Sequence, residues 1–290
     1  MAGIDINRTS FGLSLPTNIA SEIIAQAREE SLVMRKAQRK QLPNGTTTVG
    51  ISGGVTGSKF VAETARKPEG TAAYSEKVLR AYKIALTLSF SDEFRRDRSA
   101  LYRAIVQDMP KDLAWTLDRA FFFGEGAPVG DFDTLAAAPT ASLGADPYTA
   151  LLGTLSTSAA AGGNITEFDL ATQGEVSLLG QKDANGYPLF TPGATVSQGT
   201  VGTVLGRPVV VSKNVYKDDD TDTLGFAMDW DSVFYGLVEG VKYEEYGGPI
   251  YGPTGTLIHA GRQDNMFSVI CEVEVGVRTL DVDRHVRVTA

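Results

Sequence analysis

RSALYRAIVQDMPKDLAWTLDRAFFFGEGAPVG, residues 98–130, joins a long apolar stripe to a glycine-rich loop. Leu101, Ile105, Met109, Leu113, Leu117 and Phe121 recur at every fourth position, flanked by Tyr102, Val106, Trp115 and Phe122, with charged residues between. That spacing predicts one amphipathic helix from Arg98 to Phe123, about 40 Å long at ~1.5 Å per residue. Ser91-Asp92 or Asp97 can cap its start and Gly124 closes its end. Pro110 removes one backbone donor and is expected to bend the helix near Val106. A helix of this length serves as a spine.

The loop that follows, Gly124-Glu-Gly126-Ala-Pro-Val-Gly130, has the look of a phosphate cradle. A cradle needs its glycines after a strand and before a helix, so that amide donors and the helix's positive end face the anion. Here they follow a helix, where the carbonyl end repels anions. The spacing is one residue too long for G-x-G-x-x-G, and G-x-x-x-x-G-K-[ST] is absent. The glycines therefore read as a helix stop and a hinge, with the three phenylalanines buried as the last turn of the spine against the strands beside it.

Composition narrows the class. With 42% hydrophobic and 21% charged residues the chain is an ordinary globular protein, and 31 glycines make it rich in turns. A net charge of −8 argues against a general nucleic-acid binder. That charge is uneven: 18 Lys+Arg against 13 Asp+Glu up to Gly124 give +5, while 9 against 22 beyond it give −13. Such asymmetry is either drift in composition or the mark of an assembly in which the basic half of one copy meets the acidic half of a neighbour, or acidic cargo. No run approaches the ~20 apolar residues of a membrane helix, and MAGIDINRTS lacks the pattern of a secretory signal, so a cytoplasmic protein is expected. The single cysteine, Cys271, excludes an intrachain disulfide and reads as a buried member of an alternating strand.

Residues 1–48 contain one amphipathic stretch, LPTNIASEIIAQAREESLVMRKA, in which Pro16 and the spacing of Ile19, Ile23, Ala27 and Glu30/Ser31 predict a helix. After Ala37 the pattern fails, and QLPNGTTTVGISGGVTG reads as turn and extended chain. In residues 58–90 a polar arm and the turn RKPEG precede an alternating arm. There Val78, Arg80, Tyr82, Ile84, Leu86, Leu88 and Phe90 share one face, opposite Leu79, Ala81, Lys83 and Ala85. Two such arms make a long hairpin with little core of its own. It must lie on something else, because an isolated two-stranded ribbon is marginal in water.

Beyond the spine, DPYTALLGTLSTSAAAGG predicts a weakly amphipathic helix. DLATQGEVSLLGQKDANGYPLF predicts a short helix, an Asn185-Gly186 turn and a strand, and TVLGRPVVVS a buried strand entered at Gly206 and Pro208. KDDDTD, Lys217–Asp222, is a solvated loop tip that lacks the glycine and final glutamate of a calcium loop. The last third is β-rich: Phe226–Trp230, Val233–Tyr246, a long strand in MFSVICEVEVGVR with Phe267, Val269, Cys271, Val273, Val275 and Val277 inward, and a final VDRHVRVTA.

Catalytic chemistry finds little footing. His259 and His285 are the only histidines, neither lies in H-E-x-x-H or near G-x-S-x-G, and each reads as a surface or partly buried strand residue. Carboxylate pairs such as Glu29-Glu30, Glu244-Glu245 and Glu272/Glu274 are what 35 acidic residues produce by chance. No catalytic, cofactor or metal residue is assigned. The unusual features are architectural, and they belong to a subunit that completes itself by touching its neighbours.

In this order the segments resemble the major capsid proteins of tailed bacteriophages, the Hong Kong 97-type fold. The likeness is carried by LPTNIASEIIAQAREESLVMRKA, KFVAETARKPEGTAAYSEKVLRAYKIALTLSFSDEF, LAWTLDRAFFFGEG, KDANGYPLF, LGRPVVVS and GVRTLDVDRHVRVTA. It implies an α+β shell subunit with an amino-terminal arm (1–48), an extended E-loop hairpin (49–86), a peripheral domain with the spine helix (87–137 and 229–278) and an axial domain (138–228 and 279–290). It further implies hexamers and pentamers that close an icosahedral shell around double-stranded DNA contacted non-specifically, in a virion assembled in the host cytoplasm. Phe60, Glu63, Arg66, Lys67, Glu69, Tyr74 and Lys77 of the hairpin are the candidate inter-subunit contacts. The expected partners are further copies of the chain, a separate scaffolding protein because the chain begins almost directly with the arm, a portal, and a decoration protein. The family's founding type crosslinks a hairpin lysine to a neighbour's asparagine. Lys59, Lys67, Lys77 and Asn265 sit in no motif for this, and no crosslink is expected. The alternatives are an encapsulin-type bacterial compartment, which shares the fold, a soluble hydrolase with an unrecognised site, and a tail or adaptor protein.

Overall fold

The long stripe of residues 98–123 forms one uninterrupted helix, and two β-sheets are arranged around its carboxyl-terminal end. The computed structural model describes residues 31–42, 44–63, 65–91, 98–144, 146–180, 200–218, 221–238, 242–252 and 254–290. The helix expected over Pro16–Glu30, the caps Asp92 and Asp97, and the Asn185-Gly186 turn lie outside them.

In chain order the elements begin with α1 (Leu32–Lys36), β1 (Gln38–Gln41), β2 (Thr46–Thr56), β3 (Thr71–Arg80), β4 (Tyr82–Ser91) and α2 (Arg98–Phe123). Then come β5 (Thr140–Ser142), α3 (Pro147–Ala160), β6 (Glu167–Leu170), α4 (Thr172–Leu179), β7 (Thr200–Val204), β8 (Arg207–Val211) and β9 (Thr223–Met228). The last are β10 (Val233–Leu237), β11 (Lys242–Tyr246), β12 (Ile250–Tyr251), β13 (Leu257–His259), β14 (Met266–Thr279) and β15 (Val286–Thr289).

The alternating run at 266–279 is the longest strand and the backbone of a five-stranded sheet. Along one side β4 pairs with it antiparallel from Ser91↔Met266 to Tyr82↔Val275. Along the other, β11 and β10 pair with it in succession, and β1 adds to β10 in parallel. Its odd residues from Phe267 to Val277 are buried, as alternation requires, and Leu113 of α2 joins Phe267, Val269, Cys271 and Val273 beneath the helix. The second sheet has six strands in the order β5-β15-β9-β6-β8-β7. A core of its own is formed by Leu151 of α3, Leu178 of α4, and Phe168, Val209, Ala227, Val286 and Val288 of its strands.

Phe121, Phe122 and Phe123 are all buried, but not against one sheet. Phe122 lies 4.9 Å from Phe226 of β9 and edge-on to Trp230 at 6.4 Å, while Val233, Tyr235, Val275 and Val277 of the five-stranded sheet share the same core. The aromatic turn is thus the joint between the two sheets, a wider role than packing on the strands of one region. Gly124 follows at φ +74, the left-handed conformation that stops a helix, and its N–H reaches the Ala120 carbonyl at 3.0 Å.

The buried strand expected after Gly206 is β8, with Val209 and Val210 buried, and β7 precedes it. TVLGRPVVVS is a hairpin of β7 and β8, because Leu205 and Gly206 both take positive φ (52° and 75°) and turn the chain between Val204 and Arg207. The alternation across 78–90 slips. Ala81 lies between β3 and β4, and Leu79, expected opposite Val78, is fully buried with Leu42, Val49 and Phe234, whereas Val78 is 39% exposed. One residue outside the strands is enough to exchange the faces.

Candidate functional site

β2 and β3 pair antiparallel from Thr46↔Arg80 to Thr56↔Thr71 and form a ribbon of their own, with residues 57–70 as its tip. A register shift between Ser52 and Val55, with Gly54 at φ +87, marks a bulge in the first strand. Every described residue from Gly54 to Glu76 is exposed, including large apolar ones: Phe60 fully and Tyr74 at 78%. Of the seven hairpin residues singled out in the sequence, Phe60, Glu63, Arg66, Lys67, Glu69 and Tyr74 stand on this exposed part. Lys77 lies at the base, half-buried, where its ammonium donates to the Thr279 carbonyl at 2.9 Å and lies 3.4 Å from Asp133 Oδ2. Its charge is engaged within its own subunit.

The glycine loop after α2 carries Glu125. Both of its carboxylate oxygens accept from Arg119 at 2.8 Å, and Lys217 lies 3.5 Å away. Burial opposes ionisation of Glu125, but Arg119 and Lys217 outweigh it and hold the carboxyl below its usual range. The loop thus follows a helix carboxyl end and its glutamate is ion-paired, which is not the arrangement of a phosphate cradle.

Both histidines are buried, contrary to a surface or partly exposed placement. The Nδ1 of His285 accepts the Asp229 N–H at 3.3 Å, so its proton is on Nε2 and is given to Thr279 Oγ1 at 2.8 Å. Ser232 Oγ lies 3.3 Å from the same Nε2, yet its hydroxyl donates to the Asp229 carbonyl at 2.7 Å. A protonated Nε2 cannot take a proton from serine, and neither side chain reaches solvent, so this Ser-His pair is a structural knot. Burial, then Arg284, lower the His285 pKa to about 4. His259, at the β4/β14 seam, accepts the Gly261 N–H at 3.0 Å on Nδ1, which leaves Nε2 to donate to Ser89 Oγ at 2.9 Å. Among the described residues no group of three or more His, Cys, Asp or Glu is arranged to hold a metal ion, and no helix is long and apolar enough to cross a membrane.

The buried carboxylates had no place in the sequence reading. Asp118 on α2 accepts from Ser31 Oγ (2.7 Å), the N–H groups of Leu32 (2.9 Å) and Val33 (3.3 Å), and Asn214 Nδ2 (2.7 Å). It thereby ties α1 and the 3-10 turn at Lys213–Val215 to the spine. Desolvation raises its pKa against the pull of these donors. A charged residue on the apolar face of the helix, beside Leu117 and one turn before Phe121 and Phe122, was the available signal. Glu167 and Asp169 are neighbours on one face of β6. Lys36 reaches Glu167 Oε2 at 2.6 Å and Trp230 Nε1 reaches Asp169 Oδ2 at 2.8 Å, while Glu167 Oε1 and Asp169 Oδ1 are buried without a donor. Desolvation, then the facing Glu167, raise the Asp169 pKa well above its ordinary value, which favours its protonated form.

Comparison with known proteins gives a consistent result. The family model described as the phage capsid family matches residues 12–282. Among curated protein sequences none matches this one. Solved structures similar in fold include a chain of Gordonia phage Cozz, with 22% identity and a TM-score of 0.70, covering 90% of this chain and 86% of that one. A chain of Mycobacterium phage Ogopogo has 18% identity and a TM-score of 0.67, covering 90% and 92%. The capsid of an empty GTA particle has 13% identity and a TM-score of 0.64, covering 90% and 89%. A two-sheet body joined at a spine helix, with an exposed hairpin, agrees with the match over nearly the whole sequence. The chain belongs to the phage capsid family and is a major capsid protein of the Hong Kong 97-type fold, a structural subunit of the virion shell.

Proposed function

We propose that copies of this chain assemble as hexamers and pentamers into a closed icosahedral shell around double-stranded DNA, the hairpin of each subunit lying across the next. The observation that carries this is the ribbon of β2 and β3, which exposes Val55, Phe60, Val61 and Tyr74 and, among its described residues, buries none beyond its base. Such a ribbon needs a covering surface, and the neighbouring subunit is the surface always present. Phe60, Glu63, Arg66, Lys67, Glu69 and Tyr74 are the contacts we assign to it, and Lys77 serves the hairpin's own base. The division into arm, E-loop, peripheral and axial regions is supported by sheet membership, with one refinement. Residues 38–41 and 82–86 go with the peripheral region, because β1 and the whole of β4 lie in its sheet. Both histidines are buried and hydrogen-bonded within the fold, which supports a shell role without catalysis of its own. A separate scaffolding protein, a portal and a decoration protein complete the set of partners, and the acidic balance lets the DNA be held without tight gripping.

The test is negative-stain microscopy with light scattering and nucleic-acid extraction. Closed shells and DNA are expected. A strictly monomeric protein under all conditions, scaffold included, overturns the proposal, and protein cargo without DNA points to an enzyme-holding compartment. Removing residues 57–70 should leave a folded body unable to close shells. A deletion reaching 80 is unsuitable, because it takes out the buried Leu79.

A further inference from the structure

The hairpin leaves the body at a point crossed by an arginine fork. Arg278, near the end of β14, donates Nε to the Val78 carbonyl of β3 (2.8 Å), Nη1 to Asp133 (2.6 Å) and Nη2 to Asp131 (2.8 Å). The two aspartates lie in the segment after the glycine loop, which is itself fixed. Asp131 N–H donates to Tyr82 Oη at 2.8 Å, Asp133 N–H to the Val277 carbonyl at 3.2 Å, and Thr279 N–H to Asp133 Oδ2 at 3.1 Å. Lys77 adds its contacts to Asp133 and Thr279 from the hairpin side. Beneath the fork Leu79 is buried, and the Arg80 carbonyl passes so close to Gly276 that any side chain there would collide with it. Three separate segments, β3, residues 131–133 and β14, are thus bound through one side chain.

We propose that Arg278, together with Asp131 and Asp133, is a positioning device that sets the direction in which the hairpin leaves its own subunit and so governs its fit on the next. The inference rests on the reading of the hairpin as the element that reaches a neighbour. Geometry explains why direction needs a device. β2, Thr46–Thr56, is about 35 Å long at ~3.3 Å per residue. A swing of about 10° at its base therefore moves the tip by ~6 Å, twice the length of a hydrogen bond. The described residues from Gly54 to Glu76 are exposed, so the ribbon's anchorage on the body lies at its base. Arginine suits the place because its planar fork holds two carboxylates and a carbonyl at fixed angles, which a lysine ammonium cannot do.

The experiment compares the parent chain with Arg278→Ala, Arg278→Lys and Asp131→Asn. Spin labels at Ala65→Cys on the tip and Lys111→Cys on the spine helix report the tip-to-body distance in unassembled subunits, and electron microscopy counts closed shells. We expect Arg278→Ala to keep a cooperative melt, to broaden the distance distribution by more than ~5 Å, and to lower shell yield by about tenfold or more as every contact in the shell weakens. Arg278→Lys should recover little of either. If Arg278→Ala does not fold, Asp131→Asn removes the charge from one arm of the fork, weakens that contact and should give the same broadening to a lesser degree. An unchanged, narrow distribution overturns the device. A broadened distribution with undiminished shells overturns its link to assembly. In that case the chain lacking residues 57–70 separates the two ideas: if it too forms shells, the hairpin reading itself has failed.

Discussion

The carboxylate of Asp118, within the spine helix, accepts the hydroxyl of Ser31 at 2.7 Å and joins residues 87 positions apart in the sequence. With Leu32, Val33 and Asn214 also donating to it, every acceptor direction of the buried group is used, and an amide in its place would turn a donor toward donors. Asp118→Asn should therefore leave buried N–H groups unpaired at a cost of about 1–3 kcal/mol. Hydrogen exchange at the Leu32 and Val33 amides should speed up first. Exchange unchanged at both would show that the segment is held by its apolar contacts alone.

Asp169→Asn should stabilise the subunit. The folded-state pKa of Asp169 is raised above its unfolded value, so stability from this group is present in acid and is lost as pH rises. An amide is neutral at every pH and can donate to Glu167 Oε1. A gain of about 1 kcal/mol at pH 8 would raise the melting temperature by ~2–4 °C. The gain should vanish as pH falls below about 4. A lower melting temperature at pH 8 would rule out the raised Asp169 pKa.

His285 works in the opposite direction. Its folded pKa, about 4, lies below the unfolded value, so its contribution is complete above pH ~6.5 and is lost as pH falls toward the folded value. The full span corresponds to about 3 kcal/mol. His285→Gln should flatten the acid limb of a stability profile between pH 6.5 and 4. An unaltered limb would assign acid sensitivity to other groups.

Truncation at the joint should be costly. Phe122→Ala removes a ring in contact with Phe121, Phe226 and Trp230 between the two sheets, and about 3–5 kcal/mol should be lost. Chemical denaturation of the unassembled subunit measures it. A loss below ~1 kcal/mol would mean that the sheets do not depend on this ring.

The spine helix was legible from Arg98 to Phe123 because an amphipathic stripe is a local property, readable from six apolar residues at four-residue spacing. Alternation likewise exposed β14, and the position of Gly124 after a helix was enough to set aside the phosphate cradle. What depended on tertiary structure was everything set by a meeting of distant segments. Leu79 rather than Val78 is buried because the strand stops at Ala81 to cross Gly276. Ser31 finds Asp118, and Arg278 finds Asp131 and Asp133, through contacts whose cost and benefit do not appear in either segment alone. Periodicity reports which face of an element avoids water. It carries no information on which partner satisfies a buried charge, because that partner is chosen by the packing of whole sheets and helices.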